Sequence, residues 1–311
     1  MPTRSLASLT LKEVVLLVRK RSGNTSIDIA MFLKLLTSIK FKRLGVSFTS
    51  IFGLIWLFLE PAGLFLPEWL HWGWWGYGGL VSLALLSAIG LNLPRKSVCR
   101  SLSSPNSTIE IKVGDLFDEP GHLVIGANDV FDTEPGEVIK PSSVQGQFLM
   151  RLYHGDHQRL DAEIDAALEP LKAERKREPN KRKGKIWRYP IGTTLVLGLP
   201  DRRYFLNAYG YIGNDLRVKS SADDIWRSLS CLWEQVRLRG HGLEVAIPVI
   251  GSDLARTNLP RMTLTKLIII SFIAASKKDF VTKKLTMVIH PKDLDSVDLY
   301  ALEDFLGSAC F

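Results

Sequence analysis

The sequence predicts an α/β domain with a mixed sheet covered by helices on both faces, preceded by an α-helical transmembrane hairpin. Three observations carry that expectation. Two long apolar stretches lie near the N-terminus; beyond residue 108 short apolar segments alternate with longer helix-like ones; and several of the short segments run straight into Gly-containing turns. Apolar strands separated by helices form sheets that are buried on both sides.

Residues 1–43 carry amphipathic helical spacing, with Ile27, Ala30, Met31, Leu33, Leu35 and Leu36 following the capping candidate Asn24. Such a segment suits a membrane surface or a partner subunit. Residues 44–94 hold the hairpin. Leu44 to Leu66 is interrupted only by Glu60 and Pro61, and a second apolar stretch runs from Trp72 to Leu93. Roughly 20 helical residues cross a hydrocarbon core of about 30 Å, so each stretch is long enough. Lys40, Lys42 and Arg43 precede the first span and Arg95, Lys96 and Arg100 follow the second, whereas the turn between them has Glu60 and Glu68 but no basic residue. Positive residues stay on the cytoplasmic side. Both termini are therefore expected in the cytoplasm, with two spans in a bacterial inner membrane.

Residues 95–107 are Ser-rich, contain a proline and lack periodicity, so they read as a linker. Residues 108–311 form the soluble domain. Strands are expected at "TIEIKV", "HLVIGAN", "TTLVLGL", "RYFLNAY", "LEVAIPVI" and "KLTMVIH". Helices are expected from about Ser142 through Leu171 with a break, over "DDIWRSLSCLWEQVRLRG" with Asp223 or Asp224 as cap and Gly240 as stop, and over "LPRMTLTKLIIISFIAASK". The apolar run in the last is too short to span a membrane and reads as a core helix.

The net charge of +8 is not spread along the chain. Residues 1–43 hold nine Lys or Arg against two acids, and Lys172–Arg188 the same numbers, leaving the remainder net negative. Only Trp187 interrupts the second cluster, so the pattern argues against a nucleic-acid partner. A solvated loop is the commonest role for such a run; lipid headgroups or the outer charges of a phosphorylated ligand are the alternatives. Cys99, Cys231 and Cys310 are odd in number and scattered, outlining neither a disulfide framework nor a zinc site. His154 and His157 are better read as a solvated helix end than as metal ligands, and no Ser/His/Asp order stands out.

Candidate binding residues gather where strands end. In "IPVIGSDLA", Gly251 permits a tight turn, Ser252 offers a hydroxyl, and a helix begins near Pro260. Free backbone N–H groups in such a loop form a concave anion site. A second strand ends at Asn128 and, after a Gly- and Pro-containing loop, a helix opens with Ser142, Ser143 and Gly146. Asp115 directly follows a third strand.

From Thr108 to about Pro291 the chain resembles the macro domain, an ADP-ribose-binding α/β/α sandwich. "VGDLF" is similar to its adenine-binding Gly-Asp-Ile segment, "LVIGAND" to its Asn-Ala-Ala-Asn strand end, and "IPVIGSDLA" to its second phosphate loop. The resemblance implies that Asp115 and Leu116 face the adenine, that Asn128 holds the distal ribose, and that two loops enclose the diphosphate. Ser142, Ser143, Val144, Gln145 and Gly146 would line one side; Gly251, Ser252, Asp253 and Leu254 the other. Without that resemblance Asp115 reads as a turn or helix cap and Asn128 as a satisfied strand-end amide. The chain also departs from the family: "VIKPSSVQG" stands in for its triple-glycine loop, and Gly126 for the first Asn.

A macro domain behind a two-span hairpin resembles the membrane-tethered effectors of the Thoeris anti-phage system. That resemblance implies no catalysis and no cofactor. The ligand would be an ADP-ribose derivative made by a TIR-domain enzyme, and its capture by a homo-oligomer would disrupt the inner membrane and abort infection. The alternatives are a membrane-anchored ADP-ribosyl hydrolase and a reader of ADP-ribosylated proteins.

Overall fold

The computed structural model describes residues 41–65, 73–92, 96–251 and 257–310. The amphipathic pattern expected before residue 41 lies outside them, as do Ser252, Asp253 and Leu254. The chain divides into two compact units between Arg95 and Lys96.

The first unit contains α1 (Phe41–Phe65) and α2 (Gly73–Leu91). At 1.5 Å per residue they are roughly 37 and 28 Å long. Leu54, Leu57 and Phe58 of α1 and Leu86 of α2 are exposed, whereas Ala84 and Ala88 are fully buried. Successive four-residue steps put Ala84, Ala88 and Asn92 on one face of α2. The Asn92 amide donates to Ser47 Oγ of α1 at 2.9 Å. Farther along, the Phe52 and Tyr77 rings meet edge to face at 6.2 Å. Small residues thus let the backbones approach while polar and aromatic contacts fix the pair.

The second unit is three-layered. Its main strands are β1 (Ser97–Ser101), β2 (Thr108–Val113), β3 (His122–Asn128), β6 (Thr194–Leu199), β7 (Arg202–Ile212), β9 (Val245–Pro248) and β10 (Lys284–Ile289). They lie in the order β1-β2-β10-β9-β3-β7-β6. The run from β2 to β7 is parallel, and β1 and β6 join its edges antiparallel. Central β3, β9 and β10 are buried almost without interruption, as parallel strands with helices on both faces must be.

On one face α3 (Val144–Leu152) and α4 (His157–Leu168) bury Phe148, Leu149, Leu160 and Ile164 against Leu123, Ile125, Leu206 and Ala208. The other face carries α5 (Ala222–Arg239), joined to α6 (Arg261–Lys278) by Trp233, whose indole N–H donates to Ser271 Oγ at 2.9 Å. Apolar burial of this kind contributes about 25 cal/mol per Å².

Four expectations change. The stretch read as a linker supplies β1: Val98 and Leu102 are buried, and Val113 N–H donates to the Lys96 carbonyl at 3.0 Å. The cap of α5 is Ser221 rather than Asp223 or Asp224. Its hydroxyl accepts from Asp224 N–H while Asp224 accepts from Ser221 N–H, a reciprocal capping box. Residues 172–188 are exposed along most of their length, but β4 (Lys176–Arg177) pairs with β5 (Trp187–Arg188) in a hairpin and Lys181 is buried. A further helix, α7 (Leu299–Ala309), buries Leu299, Leu302 and Leu306 after the cap Asp298. Beside β7, a short β8 (Val218–Lys219) completes the sheet.

Candidate functional site

Because β2, β10, β9 and β3 are parallel neighbours, their carboxyl ends open on one side of the sheet. Ligands in such sheets bind outside those ends. Gly114 and Asp115 follow β2, His290 follows β10, Gly251 lies three residues beyond β9, and Asn128 closes β3. Sequence-expected residues from three separate segments therefore lie at one end of the sheet.

Asp115 caps a single helical turn, accepting from Phe117 N–H at 3.0 Å. Its other oxygen pairs with Arg151 of α3 at 2.7 Å, and that guanidinium lies 5.1 Å from the centre of the Phe117 ring. Leu116 turns into the core. Asn128 is 2% exposed, and its Oδ1 accepts from Val130 and Asp132 N–H at 3.2 and 3.1 Å. A short amide side chain that satisfies two following N–H groups folds the chain sharply at a strand end.

The loop after Asn128 is packed. Phe131 is wholly buried with φ of +53°, where a non-glycine residue is strained, and its ring meets Tyr189 edge to face. Asp129 is fully buried and Asp132 nearly so. Asp129 accepts from Arg188 Nη1 at 2.5 Å and from Ile212 N–H at 2.9 Å. Asp132 pairs with Lys181 Nζ at 3.4 Å and accepts from Lys185 N–H at 2.6 Å. Burial nevertheless outweighs these partners and holds both carboxyls above the usual carboxylate range.

At the start of α3, Ser143 accepts from Gly146 N–H at 3.0 Å and donates to the Lys140 carbonyl at 2.7 Å. A Cβ at residue 146 would come within 2.3 Å of that carbonyl, so only glycine fits beneath the turn. Gln145 is buried and donates to the Asp132 carbonyl at 2.5 Å. The Ser142 carbonyl accepts from Gln147, and Val144 is the first helical residue. Across the sheet end, Gly251 has φ of +86°, and a Cβ there would meet Ile225 at 2.8 Å. The close approach at this glycine is made by the protein's own α5.

Among the described residues no three His, Cys, Asp or Glu side chains converge as a metal site. His154 is an exposed turn residue with φ of +54°, and His157 opens the next helix. Three residues, two at this loop and one beside Asp115, escaped sequence reasoning. Lys181 and Arg188 were hidden in a basic run that looked solvated, and Arg151 in an ordinary helix. Gly184 was the available signal: with φ of +73° it brings the hairpin backbone against Asp132, where a Cβ would overlap the carboxylate.

The family model for the macro domain of Thoeris protein ThsA matches residues 109–290. The Thoeris protein ThsA of Bacillus amyloliquefaciens (strain Y2) is 27% identical over 212 residues, which cover 66% of this chain and 70% of the relative. The solved Oceanobacillus iheyensis macrodomain with ADP is 18% identical with a TM-score of 0.47, covering 69% of this chain and 99% of that one. The Trypanosoma brucei macrodomain in complex with ADP-ribose is 10% identical with a TM-score of 0.42, covering 64% and 68%. With more than half of its length matched by that family model, the chain belongs to the Thoeris ThsA macro-domain family.

Proposed function

We propose that this protein is a membrane-bound sensor and effector of anti-phage defence. Its macro domain captures an ADP-ribose-type nucleotide made by a TIR-domain enzyme, and its apolar helices then disrupt the inner membrane and abort infection. What supports the reading is that Asp115, Asn128 and Gly251 follow or close strands whose carboxyl ends open on one side of the sheet, in a chain of the ThsA macro-domain family. Asp115 and the backbone of Leu116 take the adenine end, the Leu116 side chain being packed into the core. Asn128 takes the distal ribose, and Ser142–Gly146 and Gly251–Leu254 the diphosphate.

Capture without turnover is the favoured chemistry. A general base must reach the water it activates, and residues 142–146 contain no ionisable side chain. The nearby carboxyls of Asp129 and Asp132 are buried and bound by Arg188 and Lys181. The membrane half is supported by two helices of spanning length and composition, Arg43–Gly63 and Gly73–Leu91. Basic residues flank the pair, which favours cytoplasmic termini. Homo-oligomers would share the switching energy: moving a two-state equilibrium from 1:99 to 99:1 takes about 5.5 kcal/mol of differential binding.

The test uses the full chain in liposomes holding a self-quenched dye. ADP-ribose, or conjugates carrying a small group on the distal ribose, should release dye at micromolar concentration. Steady liberation of free ADP-ribose from a conjugate would instead favour the hydrolase. Binding with intact vesicles would favour the reader of ADP-ribosylated proteins.

A further inference from the structure

The basic segment 172–188 lies against the loop that follows Asn128. Three of its cations reach three acids of that loop: Arg188 to Asp129, Lys181 to Asp132, and Lys183 to Glu137 at 2.7 Å. A fourth, Lys185, uses its backbone N–H on Asp132 and its ammonium on Asp161 of α4 at 2.7 Å. The far end of the hairpin is moored independently. Asn214 accepts from Arg182 N–H and donates to the Asn180 carbonyl, both at 2.7 Å.

Asp132 is the centre of this arrangement. Its carboxylate faces the hairpin, its N–H donates to Asn128 Oδ1, and its carbonyl accepts from Gln145. One nearly buried residue thus joins the hairpin to the strand-end amide and to the first turn of α3. The Lys181 side chain is 1% exposed and the Asp132 side chain 2%. Lys181 also donates to the Lys183 carbonyl, closing the hairpin tip around itself. A charge so deeply desolvated is held only if it is paired. The loop it fixes includes the strained Phe131, and strained backbone persists only where its surroundings over-determine it.

Resting on the nucleotide-binding reading above, we propose that the β4–β5 hairpin is a clasp that preshapes the first ligand loop. Lys181 acts through Asp132 as a positioning residue for Asn128 and Gln145. The clasp does the work that a tight glycine turn would do elsewhere: it sets loop geometry before the ligand arrives, so that binding need not supply the ordering entropy. Lys181, Lys183, Lys185 and Arg188 are spent on the protein's own acids, and they influence the ligand through the loop.

The experiment compares the full chain in nanodiscs with Lys181→Met, Lys181→Arg and Lys183→Ser. Amide exchange is followed over residues 129–146 and, as reference, over β10, alongside calorimetric titration with ADP-ribose. Lys181→Met should speed exchange in 129–146, leave β10 protected and weaken ADP-ribose about tenfold; Lys181→Arg should restore part of both. Unchanged exchange and affinity in Lys181→Met would overturn the clasp. If that variant loses β10 protection as well, Lys183→Ser, at the exposed end of the same hairpin, decides by the same two readouts. Should the unaltered chain bind no ADP-ribose, the nucleotide reading fails by itself, while the exchange comparison still tests whether the hairpin orders the loop.

Discussion

Gly126 lies under the ring of Tyr209: a Cβ on the glycine would come within 2.7 Å of Tyr209 Cε1. This contact leaves no room for a side chain on residue 126, two positions before the strand-end Asn128. Tyr209 is enclosed enough that burial alone raises its phenol to about 12, so it stays neutral under all physiological conditions.

Substituting Gly126 should therefore be costly. Gly126→Ala is expected to lower stability by about 1–3 kcal/mol, as overpacking does. In a Tyr209→Leu background the added cost of the same change should fall below about 1 kcal/mol. A double-mutant cycle read by denaturant unfolding measures the difference.

The buried His122 predicts an acid-sensitive fold. Its Nε2–H donates to the Gly240 carbonyl at 2.9 Å and its Nδ1 accepts from Arg203 N–H at 3.0 Å. Burial lowers its pKa below the ordinary 6.5, and the nearby Arg203 and His241 act in the same direction. The unfolded chain thus takes up a proton that the folded chain refuses. Stability is full above pH 6.5 and falls as pH drops toward the depressed folded value, by about 1.4 kcal/mol per pH unit. Thermal unfolding between pH 7.5 and 5 should show this slope, and His122→Asn should flatten it.

Arg188 should matter more at neutral than at acid pH. Asp129 already sits above the ordinary carboxylate range because of burial, and Arg188 opposes that shift. A raised carboxyl loses stability as pH rises through its folded pKa, so removing the counter-charge extends the loss upward. Arg188→Gln is expected to destabilise by about 3 kcal/mol near pH 7 and by less near pH 4. Paired with Asp129→Asn it should be close to neutral, which chemical unfolding at the two pH values will show.

How much of this was legible beforehand depended on whether the signal was local. Strands β2, β3, β6, β9 and β10 coincide with apolar segments that end in turn residues, and Pro260 with Arg261 marks the start of α6. The same local chemistry placed Asn128 and Gly251 at one sheet end. What was missed is relational. Lys181 looks like any lysine in "NKRKGK" until the fold brings Asp132 to it across 49 positions. Ser97–Ser101 has only Val98 buried, too little periodicity to announce an edge strand. Asp115 was expected to face adenine, and no sequence pattern disclosed that Arg151 would pair with it.

The helical pair makes its own prediction. Ala88 is wholly buried on the face of α2 that carries Asn92, whose amide reaches Ser47. Ala88→Leu should push the helices apart, whereas Leu86→Ala, at an exposed position, should not. Cysteines placed at residues 47 and 92 should crosslink in membranes of the otherwise unaltered chain and do so more slowly with Leu at 88.

The central claim is that the end of the sheet where Asn128 and Gly251 lie receives an ADP-ribose-type nucleotide. Isothermal titration of the full chain with ADP-ribose, beside Asn128→Ala and Asp115→Ala, tests it most directly. Saturable binding weakened at least tenfold, or about 1.4 kcal/mol, by Asn128→Ala in a chain that remains folded is the predicted result. Equal affinity in the variants, or no heat from the unaltered protein with ADP-ribose or its ribose conjugates, would contradict the account.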